Sequence, residues 1–254
     1  AQVGQRRRID IEVGCTVIEV KKSLDSPSLV ASATEQLADY VLTRTHEVGA
    51  RYVGVLTDGR QWIAFHEVDG ALQEATRHVA TAGAVGASAL LSWLEGVLAT
   101  KTGMRPTPKE IAQRLGAGSS SHALDFATLQ SLYRDSKHLP TVQLKRQLWS
   151  KLLHSALGTQ FADNDDLFLE HTLLVNSAEI IAHLLLGVDA TQLPPASLLS
   201  GAQFAQAGLY GIVDRDFFDW VLEVPGGEGF VTSLARRLAR FDWSAVEHDV
   251  LKVL

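Results

Sequence analysis

The sequence predicts an α/β unit with a mixed sheet and flanking helices over residues 1–104, followed by an all-α unit over residues 105–254. Three observations carry this. Residues 9–21 alternate apolar and charged side chains with a period of two, broken at Gly14 and Cys15, which is the signature of paired strands. A helical stretch at 28–48 then separates that hairpin from further strands, as a crossover helix does in α/β architectures. Beyond a polar, proline-containing stretch at 100–108 the period changes to that of amphipathic helices.

In the first strand Ile9, Ile11 and Val13 fall on one face, Asp10 and Glu12 on the other. In the second, Val17, Glu19 and Lys21 share a face, while Ile18 and Val20 point the opposite way. A hairpin then gathers Asp10, Glu19 and Lys21. Arg6, Arg7 and Arg8 ahead of it read as a solvated lead-in, or as cations that steer a phosphate backbone. Residues 23–28 form a turn with Pro27. The helix at 28–48 packs Leu29, Ala33, Leu37 and Val41 inward and ends at Gly49. Residues 51–56 read as a buried strand, Asp58-Gly59 as a hairpin turn, 61–68 as the return strand. Asp69-Gly70 is a second turn, 72–79 one more strand, and 85–99 a closing helix.

The second half reads as helices at 107–115, 122–135, 141–157 and 165–186. Shorter ones follow at 202–210, 214–224, 229–241 and 244–254. Gly116–Ser121, Pro194-Pro195 and Gly226-Gly227 mark loops, and no repeat is visible.

Composition sets bounds. The chain has 254 residues, 46% of them apolar, which is globular and not disordered. Its one cysteine, Cys15, excludes an internal disulfide and suits a reducing cytoplasm. The longest stretch without a charge or histidine, Val79 to Leu94, is 16 residues and too short for a bilayer, so no membrane role is expected. The net charge is −6, with 10 Lys+Arg against 12 Asp+Glu in residues 1–104 and 13 against 17 beyond. Any nucleic-acid contact must therefore be local, or lie on further chain of the longer protein expected here. The chain lacks an initiating methionine and ends inside an apolar-periodic run, so it is expected to be part of a longer protein.

Most chemical motifs are absent. The nine histidines form no HxH or HExxH pair, and no GxxxxGK[ST] is present. Asp163, Asp165 and Asp166 read as helix capping. Lys145, Arg146 and Lys151, and likewise Arg236, Arg237 and Arg240, read as solvated helix faces. Two carboxylates and an ammonium at one end of a small sheet stand out. They are the minimum equipment to hold a divalent cation and a water for phosphodiester cleavage.

These residues carry a resemblance. Asp10, eight residues, then Glu19-Val20-Lys21 resembles the PD-(D/E)xK nuclease motif, with Ile9 in place of the usual proline. Gln36 and Tyr40, four apart on one helix face, are similar to the QxxxY element that follows ExK in RecB-like nucleases. Gly54-Val55-Leu56-Thr57-Asp58-Gly59-Arg60-Gln61-Trp62 resembles the "LTDG…W" hairpin of type I restriction subunits and their single-chain relatives. In the second half, Leu148-Trp149-Ser150-Lys151-Leu152-Leu153, Asn176-Ser177-Ala178-Glu179-Ile180-Ile181 and Leu238-Ala239-Arg240-Phe241-Asp242-Trp243 resemble the helical spacer before the N6-adenine methyltransferase in type IIG and type ISP restriction-modification enzymes.

The resemblance implies a restriction-endonuclease-like fold and a Mg²⁺-dependent DNA endonuclease used in phage defence. It implies that Asp10, Glu19 and the backbone carbonyl of Val20 ligate the metal, with Glu12 in reserve. Lys21 would orient or deprotonate the attacking water, Gln36 would support Lys21 or the scissile phosphate, and Tyr40 would pack beneath or touch DNA. The implied partners are double-stranded DNA and downstream methyltransferase and target-recognition domains. S-adenosylmethionine would belong only to those domains, because no Asn-Pro-Pro-Tyr, Asp-Pro-Pro-Tyr or glycine-rich cofactor turn is present here. The alternative expectation is a catalytically inactive nuclease-like scaffold that positions DNA or couples other domains.

Overall fold

The computed structural model describes residues 9–100, 102–158 and 161–254; Arg6, Arg7 and Arg8 lie outside them. The chain divides into two compact units, Ala1–Thr100 and Lys101–Leu254. The division precedes the expected 104/105 boundary because Met104 belongs to the helical core. Its backbone N–H donates to Arg240 O at 3.0 Å, and its carbonyl accepts from Asp242 N at 2.8 Å.

The first unit is a five-stranded mixed sheet, ordered as in the sequence. Its elements are β1 (Ile11–Val13), β2 (Thr16–Val20), α1 (Pro27–Val48), β3 (Val53–Thr57), β4 (Gln61–Val68), β5 (Ala71–Val79) and α2 (Gly83–Leu98). Strands β2 and β3 are parallel and the other neighbours antiparallel. Parallel neighbours need a crossover, and α1 supplies it. β1 is shorter than expected: Asp10 forms a bend ahead of it. The β4–β5 turn places both Asp69 and Gly70 at positive φ, 51° and 78°, the geometry a two-residue hairpin requires.

Helix α1 starts with Pro27 and ends at Gly49, whose φ of 66° lets its N–H return to Thr45 O. It buries Ala33, Leu37, Tyr40 and Val41 against Val17, Leu56, Ile63 and Phe65. Gly54 on β3 makes this approach possible: a Cβ there would lie 2.9 Å from Leu37 Cδ2 and 3.2 Å from Leu72 Cδ1. Leu29, expected inside, is exposed. The opposite sheet face carries Ile18, Val55 and Ala64. Thr76, opposite Ala64 in register, receives the Trp93 indole N–H of α2 at 3.4 Å.

The second unit is helical: α3 (Pro108–Arg114), α4 (Ser120–Ser136), α5 (Pro140–Leu157), α6 (Asp165–Leu185), α7 (Pro195–Leu198), α8 (Ala202–Gln206) and α9 (Gly227–Leu238). Its core gathers Tyr133, Trp149, Phe168 and Trp220, with Ile180 of α6 and Phe230 and Leu234 of α9. Caps follow the sequence, Thr107 accepting from Glu110 N, Ser119 from His122 N and Asn164 from Leu167 N. Residues 214–224 and 244–254 are not the helices expected. They form short 3-10 turns, Phe218–Glu223, Trp243–Ala245 and Leu251–Val253. Expected at 202–210, α8 stops at Gln206.

Of the basic residues expected on solvated faces, Lys151 and Arg236 are exposed, but the other four are not free surface charges. Lys145 pairs with Asp219 and Glu223, Arg146 with Asp163 and Asp165, and Arg237 with buried Asp125 at 2.8 Å. Arg240 is buried. Lys145, Arg146 and Arg237 thus balance acids of the same unit. Asp163 is accordingly an ion-pair partner, and Asn164 is the cap. No helix among the described residues is long and apolar enough to cross a membrane.

Candidate active site

Strand β2 fixes the geometry. Alternation puts Val17, Glu19 and Lys21 on the face that α1 covers, and the strand's pairing extends past its end through Lys21 N to Thr57 O at 2.8 Å. Glu19 is thereby carried under the helix and is 2% exposed. A buried carboxylate needs partners, and it finds two. Lys21 Nζ donates to Glu19 Oε1 at 2.6 Å, and Gln36 Nε2 of α1 donates to the same oxygen at 2.8 Å. Lys21 also donates to Gln36 Oε1 at 3.0 Å, which closes a three-membered network. Gln36 Nε2 lies 3.2 Å from the Tyr40 hydroxyl, one helical turn on. Lys21 keeps about a third of its side chain in solvent, so the cluster is reachable from outside.

The second oxygen of Glu19, Oε2, is buried and has no hydrogen-bond partner among the described residues. Leaving a charged acceptor in that state costs about 1–3 kcal/mol or more. A bound cation would offset the cost, so the residues present fit a divalent metal.

Asp10 stands next to this cluster. The β1–β2 ladder ends at Ile11↔Ile18, one residue short of Asp10 and Glu19. The bend there turns the Asp10 carboxylate to accept from Val20 N at 2.9 Å. Among the described residues no three Asp, Glu, His or Cys side chains converge into a ready-made cage. A cation here would depend on two carboxylates and main-chain oxygen.

Glu12 shares the face but not the site. Its Oε1 accepts from Arg44 Nη2 at 2.6 Å and from the Tyr52 hydroxyl at 2.9 Å. Those bonds, first the Arg44 guanidinium, hold its carboxyl below the usual carboxylate range. The structure thus brings Asp10, Glu19, Val20, Lys21, Gln36 and Tyr40 together and commits Glu12 elsewhere.

Asp58 has a larger part than its reading as a turn residue. Its Oδ1 accepts from Arg60 N and Gln61 N at 3.0 and 2.7 Å, and its Oδ2 accepts from Leu24 N at 3.0 Å. The last bond ties the segment after Lys21 to the β3–β4 hairpin. These N–H donors, Gln61 foremost, depress its pKa. The Asp-Gly pair gives the turn away in the sequence, but the reach to Leu24 has no local signal.

Comparisons with protein-family models, with curated proteins and with solved structures find no match to this chain.

Proposed function

We propose that the first unit is a Mg²⁺-dependent DNA endonuclease domain of the PD-(D/E)xK kind, the cutting portion of a restriction-modification enzyme. The helical unit would be the spacer toward methyltransferase and target-recognition domains of the same polypeptide. The single observation that carries this is Glu19: buried, one oxygen bound by Lys21 and Gln36, the other without a partner.

In this reading Asp10, Glu19 Oε2 and the Val20 carbonyl would hold the metal. When bound, the ion polarises a phosphoryl oxygen and lowers the pKa of a water. Lys21 would orient that water and offset charge on the phosphate as its ammonium exchanges Glu19 for substrate. Gln36 holds Lys21 in place through its carbonyl oxygen and Glu19 through its amide nitrogen. Tyr40 backs Gln36 from beneath. The chain's negative charge implies that DNA contact is local, and Lys22, next to Lys21, is exposed to take part in it.

A second reading, a scaffold that binds DNA without cutting, draws on one observation. Lys21, Gln36 and Glu19 Oε1 satisfy one another, so the network is stable without chemistry. Cleavage of unmodified plasmid in Mg²⁺ by wild type, Glu19→Ala and Lys21→Ala separates the two. Cleavage lost in both variants with DNA binding kept supports the enzyme. DNA binding without cleavage by wild type supports the scaffold.

A further inference from the structure

Glu179, midway along α6, is 8% exposed, yet its carboxyl has neither hydrogen bond nor ion pair among the described residues. It lines a cavity of about 720 Å³. Leu174 and Ala178 of α6, with Ile212 and Val213, form apolar walls, and Asp214, Asp216 and Asp249 add carboxylates. Lys252 stands on the rim with 81% of its side chain in solvent and pairs with Asp249 at 3.3 Å. Asp219 also faces Glu179 but is bound by Lys145, which pairs with Glu223 at 2.7 Å as well.

Glu179 and Asp216 line the same volume and repel each other. Asp216 Oδ1 accepts from Phe218 N at 2.7 Å and feels the Lys145 ammonium through space, whereas Glu179 has no such partner. Burial first, then Asp216 and Asp219, push the Glu179 carboxyl up to about 8. Burial raises Asp216 too. A neutral acid kept only for packing would hydrogen-bond to a neighbour or be replaced at little cost by an apolar side chain. His183, one turn on, turns its Nδ1 to the Glu179 backbone carbonyl at 2.8 Å, and no bond joins the ring to the carboxyl. The carboxylates do not converge tightly enough to form a metal cage. A larger cation with an apolar body matches the volume and its mixed acidic and apolar lining.

We propose that this cavity binds an organic cation, an alkylammonium or alkylguanidinium head on an apolar stem, with Glu179 and Asp216 receiving the head and Leu174, Ala178 and Ile212 the stem. The site is independent of the nuclease reading. Binding favours ionised Glu179, so the cation displaces the carboxyl proton, and affinity rises with pH through about 8.

Calorimetric titration of the full chain with butylguanidine tests this, because the guanidinium stays charged throughout. Saturable one-to-one binding is expected, about tenfold tighter at pH 9 than at pH 7, with a proton released to buffer. Glu179→Gln, nearly isosteric with the neutral acid, should weaken binding about tenfold or more and remove the pH dependence. Ala178→Phe should block the cavity in a folded chain of unchanged melting temperature. A blocked arginine peptide run in parallel identifies the source: tighter binding than butylguanidine assigns the site to a partner's side chain, weaker binding to a free small molecule. Equal affinity in Glu179→Gln, equal response to Mg²⁺, or no saturation by butylguanidine at about 10 mM would overturn the proposal.

Discussion

Gln36 and Glu19, on different elements, meet at 2.8 Å through Gln36 Nε2 and Glu19 Oε1. The contact ties the helix to the buried carboxylate of the strand. α1 brings a neutral donor to a buried carboxylate and, from the same amide, an acceptor to Lys21.

Gln36→Ala removes these two bonds and the one to the Tyr40 hydroxyl. Hydrogen bonds to charged groups contribute about 1.5–3 kcal/mol, and solvent now entering the gap repays part of that. The expected net loss is about 1–2 kcal/mol in urea unfolding, with plasmid cleavage reduced about tenfold or more. Gln36→Glu should be worse at pH 7 than at pH 5, because a second carboxylate beside Glu19 is disfavoured in its charged form.

Gly54→Ala tests the packing that sets the height of α1 above the sheet. The added Cβ meets Leu37, the residue after Gln36, at 2.9 Å and Leu72 at 3.2 Å. Overpacking of this kind costs about 1–3 kcal/mol. Lower thermal stability is expected, together with weaker cleavage, because a shift of Leu37 carries Gln36 with it. Val55→Ala on the other face should lower stability without a matching loss of activity.

The Glu12–Arg44–Tyr52 group should matter for acid stability and not for catalysis. The folded Glu12 carboxyl titrates below its ordinary value of 4.5. Its contribution is therefore present above that value and is lost as pH falls through the lower, folded one. Both partners are partly solvated, so the effect is small. Glu12→Gln should lower the melting temperature slightly at pH 7, with the difference from wild type shrinking as pH falls through and below the lowered carboxyl range. Cleavage should stay within about twofold of wild type. A large catalytic loss would return Glu12 to the site.

Much of the first unit is legible because its signals are local. Alternation over Ile11–Val13 and Thr16–Val20, the Asp-Gly turns and Gly49 specify strands, hairpins and a helix end without tertiary help. The same alternation places Glu19 and Lys21 on one face, and the four-residue spacing places Gln36 and Tyr40 together. Two features escape. The bend at Asp10, which turns its carboxylate onto Val20 N, depends on where the ladder stops. The pairing of Glu12 with Arg44 depends on the distance between α1 and β1. In the second unit, residues 244–254 have helical spacing, but the chain there forms 3-10 turns, with Trp243 donating to Leu238 O at 2.8 Å. Lys145, Arg146 and Arg237 look like surface charges because their acidic partners are distant in sequence.

Asp58→Ala should destabilise the first unit by about 1–2 kcal/mol, since three backbone donors lose their acceptor. The freed Leu24 end loosens the segment after Lys21. Cleavage should fall through kcat, with DNA affinity kept. Asp58→Asn, which retains one acceptor oxygen, should recover part of the stability and part of the rate.

The most direct test is Mn²⁺ binding followed by electron paramagnetic resonance on wild type and three variants. One bound ion per chain is predicted for wild type and Glu12→Gln, with affinity down about tenfold or more in Glu19→Gln and Asp10→Asn. An ion retained at full strength by Glu19→Gln, or lost in Glu12→Gln, would contradict the assignment of Glu19 Oε2 as the ligand.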